Sequence, residues 1–322
     1  MTDQWQDLSR PPLREPSLRR ALTADPSPAW RTLKVVAETG STNADLAERA
    51  RAGELEGAVL VADHQTAGRG RRDRTWVAPP RAGLAVSVLL RPTVHQIPPE
   101  RWSWLTLMAG VAVTDALIRR CGLPATLKWP NDVLVPVLGS DEPGKVAGLL
   151  AEVVRTDATQ DQGLAAPGGS NLGTMGLGTT GLAAPDHAVV LGLGINVNQD
   201  VDELPIPTAT SLKLAGSAVT DRDTVLRVVL RALSDRYQDF VAAAGDATHP
   251  TSGLAAVYRE RCSTIGRRVR AHLPDGTTLE GLADGVDDEG RLLVRERPES
   301  LDGRMHVLSA GDVVHIRPSE PA

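Results

Sequence analysis

A short arginine-rich stretch holds the densest concentration of groups in the chain that could bind an anion. Between Gly68 and Trp76 it carries four arginines within six residues, and it begins with two glycines separated by one residue. Guanidinium groups are planar forks of donors that suit phosphate and carboxylate, and glycine allows backbone to turn tightly beside a ligand. The pattern indicates a loop that closes over a small anion, although a solvated basic loop or a nucleic-acid patch has a similar composition.

Three further positions place polar groups beside apolar runs. Residues 41–43 read Ser-Thr-Asn at the start of a predicted helix, where they either cap the helix or bind a polar head group; the two roles are compatible. Gln65, just before the arginine stretch, offers a donor and an acceptor together. Lys145 precedes an apolar strand, where it either caps the strand end or stabilises a carboxylate and a developing phosphoryl charge.

Two asparagine-containing turns complete the set of candidate groups. Residues 127–135 read as a strand that ends in a Trp-Pro-Asn-Asp turn and then restarts. Asn and Asp are ordinary turn residues, but polar groups beside buried strands are costly unless they have a use. The segment from Gly192 to Asn196 lacks the third glycine and the helix of the dinucleotide fingerprint. It nevertheless indicates backbone that approaches a ligand.

The elements around these segments are predicted from apolar periodicity. Strands at 57–62 and 84–90 flank the arginine stretch, a helix spans 102–121, and five short strands with period-two patterning follow Arg267. The five strands indicate a small separate β-barrel. Residues 1–30, with five prolines among charges, predict a disordered leader without the paired helices of a helix-turn-helix. Residues 156–187, rich in Gly, Ala and Thr, predict a flexible insertion.

Composition limits the class of protein. The chain has 322 residues, a formal net charge of −5 and two cysteines. Because the net charge is negative, the molecule as a whole is not attracted to nucleic acid. Cys121 and Cys262 have no metal-ligand spacing, which favours a reducing cytoplasm and indicates neither a disulfide framework nor a zinc site. No apolar run approaches the ~20 residues that span a bilayer. We therefore expect a cytoplasmic protein that does not bind membranes.

Taken in order, these segments resemble the biotin–protein ligases over residues 33–317. The resemblance implies an α+β fold, in which a mixed central β-sheet flanked by helices is followed by a small C-terminal SH3-like β-barrel. The implied domains are a catalytic domain at 31–262, after the leader at 1–30, and the barrel at 263–322. The matching motifs are Ser41-Thr42-Asn43, Gln65, the loop Gly68 to Arg72 with Trp76, Lys128 to Asp132, Lys145 to Gly148, and Gly192 to Asn196.

The resemblance also implies a reaction and its residues. Biotin is activated by ATP with Mg²⁺ as biotinyl-5′-AMP, and is then transferred to a lysine of the biotin carboxyl carrier protein of acyl-CoA carboxylases. The residues implied to bind biotin are Ser41, Thr42, Asn43, Gln65, Gly68, Arg69, Gly70, Arg71, Lys145 and Gly148. Those implied to bind ATP or the adenylate are Arg69, Arg71, Arg72, Trp76, Asn131, Lys145 and Asn196. The implied catalytic residues are Lys145, Arg71 and Asp132; the metal ligands are not identifiable.

Two departures from the family pattern and two alternatives stand beside this reading. Asp73 occupies a position where many relatives have glycine, which puts adenylate retention in question. The missing helix-turn-helix leads us to expect no DNA binding, and we expect a monomer or weak homodimer.

A lipoate or octanoate ligase would share the fold, but Gln65 with Ser41 and Thr42 favours a ureido ring over an apolar dithiolane. A non-enzymatic nucleic-acid binder is the other alternative.

Overall fold

The computed structural model describes residues 10–23, 29–72, 74–156, 187–273, 276–296, 303–309 and 312–315. The described chain forms two β-sheets, of seven and five strands, with helices packed on the larger one. Asp73 and most of the predicted insertion, residues 157–186, lie outside the described residues. Within the described chain, no helix has the length and apolar character needed to cross a bilayer.

The larger sheet is mixed, as predicted. Its strand order is β1-β2-β3-β7-β6-β5-β4, and β1 pairs with β2 in parallel while the other neighbours are antiparallel. The stretch from Gly68 to Trp76 connects β2 to β3, so the predicted loop between two buried strands is confirmed. The strands are β1 Thr32–Val36, β2 Ala58–Ala62, β3 Gly83–Leu90, β4 Thr126–Lys128, β5 Asp132–Val137, β6 Ser140–Arg155 and β7 His187–Asn196.

Helices cover both faces of this sheet because successive strand residues point to opposite sides. Val59 and Val61 of β2 belong to the main core with the long helices, whereas Ala58 and Leu60 pack in a second cluster with Leu46. The helices are α1 Glu15–Thr23, α2 Thr42–Arg51, α3 Ser103–Cys121, α4 Arg222–Ala242 and α5 Leu254–Arg261. α2 packs on β3, β6 and β7, and because β6 and β7 are antiparallel, the first half of β6 lies beside the end of β7.

The prediction of a disordered leader over residues 1–30 is wrong for its described part. Residues 15–23 form α1, which packs on β1 and α4, and Leu18, Leu22 and Trp30 are buried. The prolines at positions 11, 12 and 16 precede or begin the helix, where a missing N–H costs little. Burial against distant elements, which composition does not reveal, orders this segment. Residues 1–9 and 24–28 lie outside the described residues.

The smaller sheet is antiparallel with the order β11-β10-β9-β8-β12. It confirms the predicted C-terminal β unit, and it begins at Arg268; the boundary at 262/263 stays a prediction. Two indoles of the larger unit donate to its β9–β10 turn, Trp104 to Asp288 O and Trp129 to Gly290 O. The strands are β8 Arg268–His272, β9 Thr278–Val286, β10 Leu292–Arg295, β11 Met305–Leu308 and β12 Asp312–His315.

Candidate active site

A cavity of about 530 Å³ lies over β6 and β7, beneath the arginine loop. Most of the residues predicted to bind or act on a ligand line it, although they come from segments spread over more than 150 positions of the chain. Those that line it are Ser41, Thr42, Asn43, Gln65, Arg69, Gly70, Arg71, Trp76, Asn131, Lys145, Gly148 and Asn196. Gly68, Arg72 and Asp132 are not among the lining residues.

One end of the cavity is built from the start of α2 and from Gln65, in the segment that follows β2. Ser41 caps α2, its Oγ accepting from Ala44 N. The side-chain oxygen of Gln65 accepts from both the backbone N and the hydroxyl of Thr42, at 2.8 and 3.0 Å. Because that oxygen is occupied, the amide nitrogen of Gln65 is the part left to donate to a ligand. Gly68 makes room for it, since a Cβ there would lie 2.8 Å from Gln65 Nε2.

Asn43 lines the same end, but its amide group forms hydrogen bonds with other protein groups. Its nitrogen donates to Glu152 at 2.6 Å, and its oxygen accepts from Ser87 at 2.6 Å. The residue is 5% exposed, so these bonds tie α2 to β3 and β6. Direct contact of Asn43 with biotin stays a prediction. Ser87 and Glu152 escaped the sequence analysis, although each is a polar interruption of an otherwise apolar strand, a signal that could have identified them.

Glycines form the floor of the cavity. Gly148 and Gly194 are register partners on β6 and β7, and the indole of Trp76 lies against both. A Cβ at position 194 would come within 2.4 Å of Trp76 Cε2, and one at position 148 within 3.0 Å of its Cζ3. A Cβ at position 192 would meet Asn43 Oδ1 at 2.3 Å. The glycines therefore let an aromatic ring lie flat on the sheet, where it can stack on a ligand.

Lys145 stands at the other end of the cavity. Its Nζ lies 2.6 Å from Asp132 Oδ1 and 5.7 Å from the centroid of a Trp76 ring, and an ammonium at that distance is attracted to the ring face. Its backbone is fixed on both sides, because Lys145 N donates to Thr208 O and its carbonyl accepts from Thr210 N. Asp132 therefore acts on the cavity through Lys145.

Asn131 and Asn196, predicted to contact the nucleotide, both hold protein groups. Asn131 donates to Leu149 O at 2.9 Å, and its oxygen accepts from Arg71 at 3.4 Å. Asn196 is buried; it donates to Thr210 O and accepts from Gln199, both at 3.0 Å. The arrangement assigns Asn131 to orienting Arg71. The amide of Asn196 braces the segment that follows β7, and direct contact with a nucleotide stays a prediction for both.

The arginines of the loop point in different directions. Arg69 lies 3.8 Å from Glu152, at the Gln65 end, whereas Arg71 faces Asn131, at the Lys145 end. Arg72 donates to His272 O of the smaller sheet and does not line the cavity, so its contact with a nucleotide stays a prediction. The loop is closed on itself, because Gly70 N donates to Arg74 O and Trp76 N to Gly68 O.

Two comparisons with known proteins decide the family. The family model for the biotin/lipoate A/B protein ligase family matches residues 36–165, and that for the biotin protein ligase C-terminal domain matches 264–316. The biotin–[acetyl-CoA-carboxylase] ligase of Mycobacterium tuberculosis is 42% identical, over 98% of this chain and 100% of that protein. The chain belongs to the biotin protein ligase family.

Other relatives of this ligase family agree. The bifunctional ligase/repressor BirA of Bacillus subtilis is 32% identical, over 84% of this chain and 70% of that protein. A solved structure of the biotin protein ligase from Aquifex aeolicus, in complex with biotin and ATP, superimposes with a TM-score of 0.62 at 26% identity. That superposition covers 90% of this chain and 100% of the solved one.

The ligase cavity also has a wall that the sequence analysis missed. Pro205, Ile206 and Ala209, from the segment after β7, line it together with Arg74 and Val77 of the arginine loop. The first three are ordinary apolar residues in an irregular segment, and no pattern in the sequence distinguishes them. They complete an enclosure in which one end offers the amide nitrogen of Gln65 and the other offers Lys145 and Arg71.

Protein ligands for a metal are not gathered in this cavity. Of its lining residues, none in the described part of the chain is Asp or Glu, and no cluster of three or more His, Cys, Asp or Glu is present among the described residues. Because Mg²⁺ commonly keeps waters and binds substrate phosphates, this donor set fits a metal ion that enters with the nucleotide as MgATP.

Proposed function

We propose that the chain is an ATP-dependent biotin–protein ligase, which forms biotinyl-5′-AMP and transfers biotin to a lysine of a biotin carboxyl carrier protein. The observation that carries the proposal is the two-ended cavity. Gln65 donates at one end, where a ureido oxygen can accept, and Lys145 and Arg71 hold the other end, where a carboxylate meets a phosphate. Between them, the indole of Trp76 on the glycine floor offers an apolar surface, which suits a ring and an alkyl chain.

In the first step, a carboxylate oxygen of biotin attacks the α-phosphorus of MgATP. The bond from that phosphorus to the bridging oxygen breaks, and pyrophosphate leaves. Negative charge on the carboxylate and the equatorial phosphoryl oxygens must be neutralised as the two groups meet. Lys145 supplies a cation whose position is fixed by Asp132 and by its backbone, and Arg71 supplies a second cation oriented by Asn131.

In the second step, the ε-amine of the carrier lysine attacks the acyl carbon of the adenylate. The bond from that carbon to the phosphate oxygen breaks, AMP leaves, and the amine loses a proton. We assign Asp132 first to holding Lys145, because their atoms lie 2.6 Å apart; accepting the proton of the amine stays a prediction for it. No protein nucleophile is required, since the mixed anhydride is itself reactive.

Retention of the adenylate depends on the loop from Gly68 to Trp76 and on the opposite wall. Both cover the cavity, and closure over an activated acyl group keeps water from it. The name of the Mycobacterium tuberculosis relative supports a carrier protein of acetyl-CoA carboxylase as the acceptor.

The proposal is tested by pyrophosphate release with biotin and ATP. Lys145→Ala should abolish release, because the junction of carboxylate and α-phosphate loses its fixed cation. Lys34→Ala, which removes an exposed lysine on β1, is the control and should release at the wild-type rate. Full activity of Lys145→Ala would refute the role of Lys145. Wild-type turnover of lipoate in preference to biotin would refute the substrate.

A further inference from the structure

An arginine in the N-terminal segment is fixed on the segment that forms one wall of the cavity. Arg10 donates from both terminal nitrogens to the carboxylate of Glu203, and from one of them to Asn198 O at 3.0 Å. Its side chain is 19% exposed. The hydrogen bond to Glu203 raises the pKa of Arg10, and the same bond lowers the pKa of Glu203. The pair is therefore ionised on both sides at neutral pH.

The segment that Arg10 contacts, residues 197–210, is named here the wall segment. Glu203 begins the path to the cavity: its carboxylate accepts from Asp200 N at 2.9 Å, and the residues soon after it, Pro205 and Ile206, line the cavity. At its far end, the wall segment pairs with both sides of Lys145 through Thr208 O and Thr210 N. Displacement of the wall segment thus alters both the enclosure and the backbone of Lys145.

The N-terminal segment is itself anchored elsewhere, so Arg10 has a fixed base. Arg222 of α4 donates to Pro11 O at 2.6 Å, and Leu13 is buried. Arg14 contacts Asp223 twice, from its backbone N at 3.0 Å and from Nε at 2.6 Å. Arg222 and Asp223 lie on α4, and their hydrogen bonds in the described part of the chain go to residues outside the wall segment.

We propose that Arg10 is a positioning residue, which holds the wall segment against the cavity and so retains the acyl-adenylate until the acceptor amine arrives. The inference rests on the proposed function, since it concerns the intermediate of that reaction. Arg10 contacts neither ligand nor reacting atoms; it acts through Glu203. A bidentate guanidinium–carboxylate pair fixes orientation as well as distance. The wall segment needs such a pair, because most of its length is neither helix nor paired strand.

The test measures the rate at which the full-length enzyme, loaded with labelled biotin and MgATP in the absence of carrier, loses biotinyl-5′-AMP. Arg10→Ala should release it about tenfold faster, which corresponds to the loss of ~1.4 kcal/mol of retention. Glu203→Gln keeps an oxygen for Asp200 N but removes the charge, and should have a similar effect. The double variant should release no faster than the stronger single variant, because both changes remove the same pair.

Arg14→Ala is the matched control. It removes another arginine–carboxylate pair of the same segment but keeps the backbone bond to Asp223 and the bond from Arg222 to Pro11 O. Because these anchors still hold the segment, the release rate should be unchanged. The Tm of each variant is also measured. A purely structural role of Arg10 would lower Tm without changing the rate of adenylate release. Release from Arg10→Ala at the wild-type rate, or equal acceleration in Arg14→Ala, would overturn the proposal. Failure of the wild type to form the adenylate would instead overturn the proposed function.

Discussion

At the scale of single residues, the polar groups of the cavity divide into those that face a ligand and those that bind protein atoms. A glutamine, a lysine and an arginine loop beside apolar strands indicate a polar small-molecule site, and Gln65, Lys145 and Arg71 do line one cavity. The separate role of each side chain was not predictable, because it depends on which protein atoms that side chain contacts. Asn43, Asn131 and Asn196 resemble ligand contacts in sequence, but each is committed to protein atoms.

The glycine floor supports a prediction at this scale. Gly194→Ala should raise the KM for biotin about tenfold, because the new Cβ would lie 2.4 Å from Trp76 and overpacking of this kind costs ~1–3 kcal/mol. Gly285→Ala is the control, since a Cβ there meets nothing within 4 Å. Steady-state kinetics with biotin varied at saturating ATP measures the effect. An unchanged KM in Gly194→Ala would show that the indole does not depend on the floor.

At the scale of elements, the strands and long helices followed from periodicity, whereas α1 did not. Its sequence is charged and lies among prolines, so composition indicates disorder, but its leucines are buried by packing on β1 and on α4, which begins only at Arg222. A buried ion pair also joins residues that are far apart in the sequence. Arg222, 3% exposed at its side chain, lies 2.9 Å from Asp63, whose side chain is 8% exposed.

This pair gives a prediction for stability. Burial lowers the pKa of Arg222, and the carboxylate of Asp63 opposes that shift, so the two charges depend on each other. Arg222→Ala should lower the free energy of unfolding by about 3–5 kcal/mol, because it leaves Asp63 buried without its main counter-charge. Arg19→Ala, whose partner Glu15 is on the surface of α1, should cost less than ~1 kcal/mol. Urea unfolding of the two variants compares them; equal losses would contradict the argument.

At the scale of the whole molecule, the smaller sheet is fixed to the turn that carries Asn131 and Asp132. The hydroxyl of Thr264, a residue without exposed surface, accepts from Trp129 N at 3.0 Å and lies 3.1 Å from His315 Nε2. Neither the pairing of β12 with β8 nor this junction could be read from the sequence, since both join positions far apart in the chain. The junction gives the C-terminal unit a mechanical connection to the active site.

The junction predicts a dependence of stability on pH. Burial first, and then Lys128 and Arg267, lower the pKa of His315 from 6.5 to about 4. The unfolded chain therefore binds a proton between those values that the folded chain does not, so stability falls as pH falls through this window. The free energy of unfolding of the wild type should fall between pH 7 and pH 4.5. For His315→Gln, which keeps an acceptor for Thr264, the free energy of unfolding should fall by up to ~2 kcal/mol less. Parallel pH profiles of urea unfolding for the two proteins would contradict this.

The anchoring of the first residues to the last part of the catalytic unit also constrains biosynthesis. Arg10 and its partner Glu203 are separated by 193 positions, and Pro11 meets an arginine later still, at position 222. Arg10 and Pro11 leave the ribosome before Glu203 and Arg222 do, because synthesis runs from the N-terminus to the C-terminus. The N-terminal segment therefore docks only after α4 has been synthesised, and until then the cavity wall lacks its contact with Arg10.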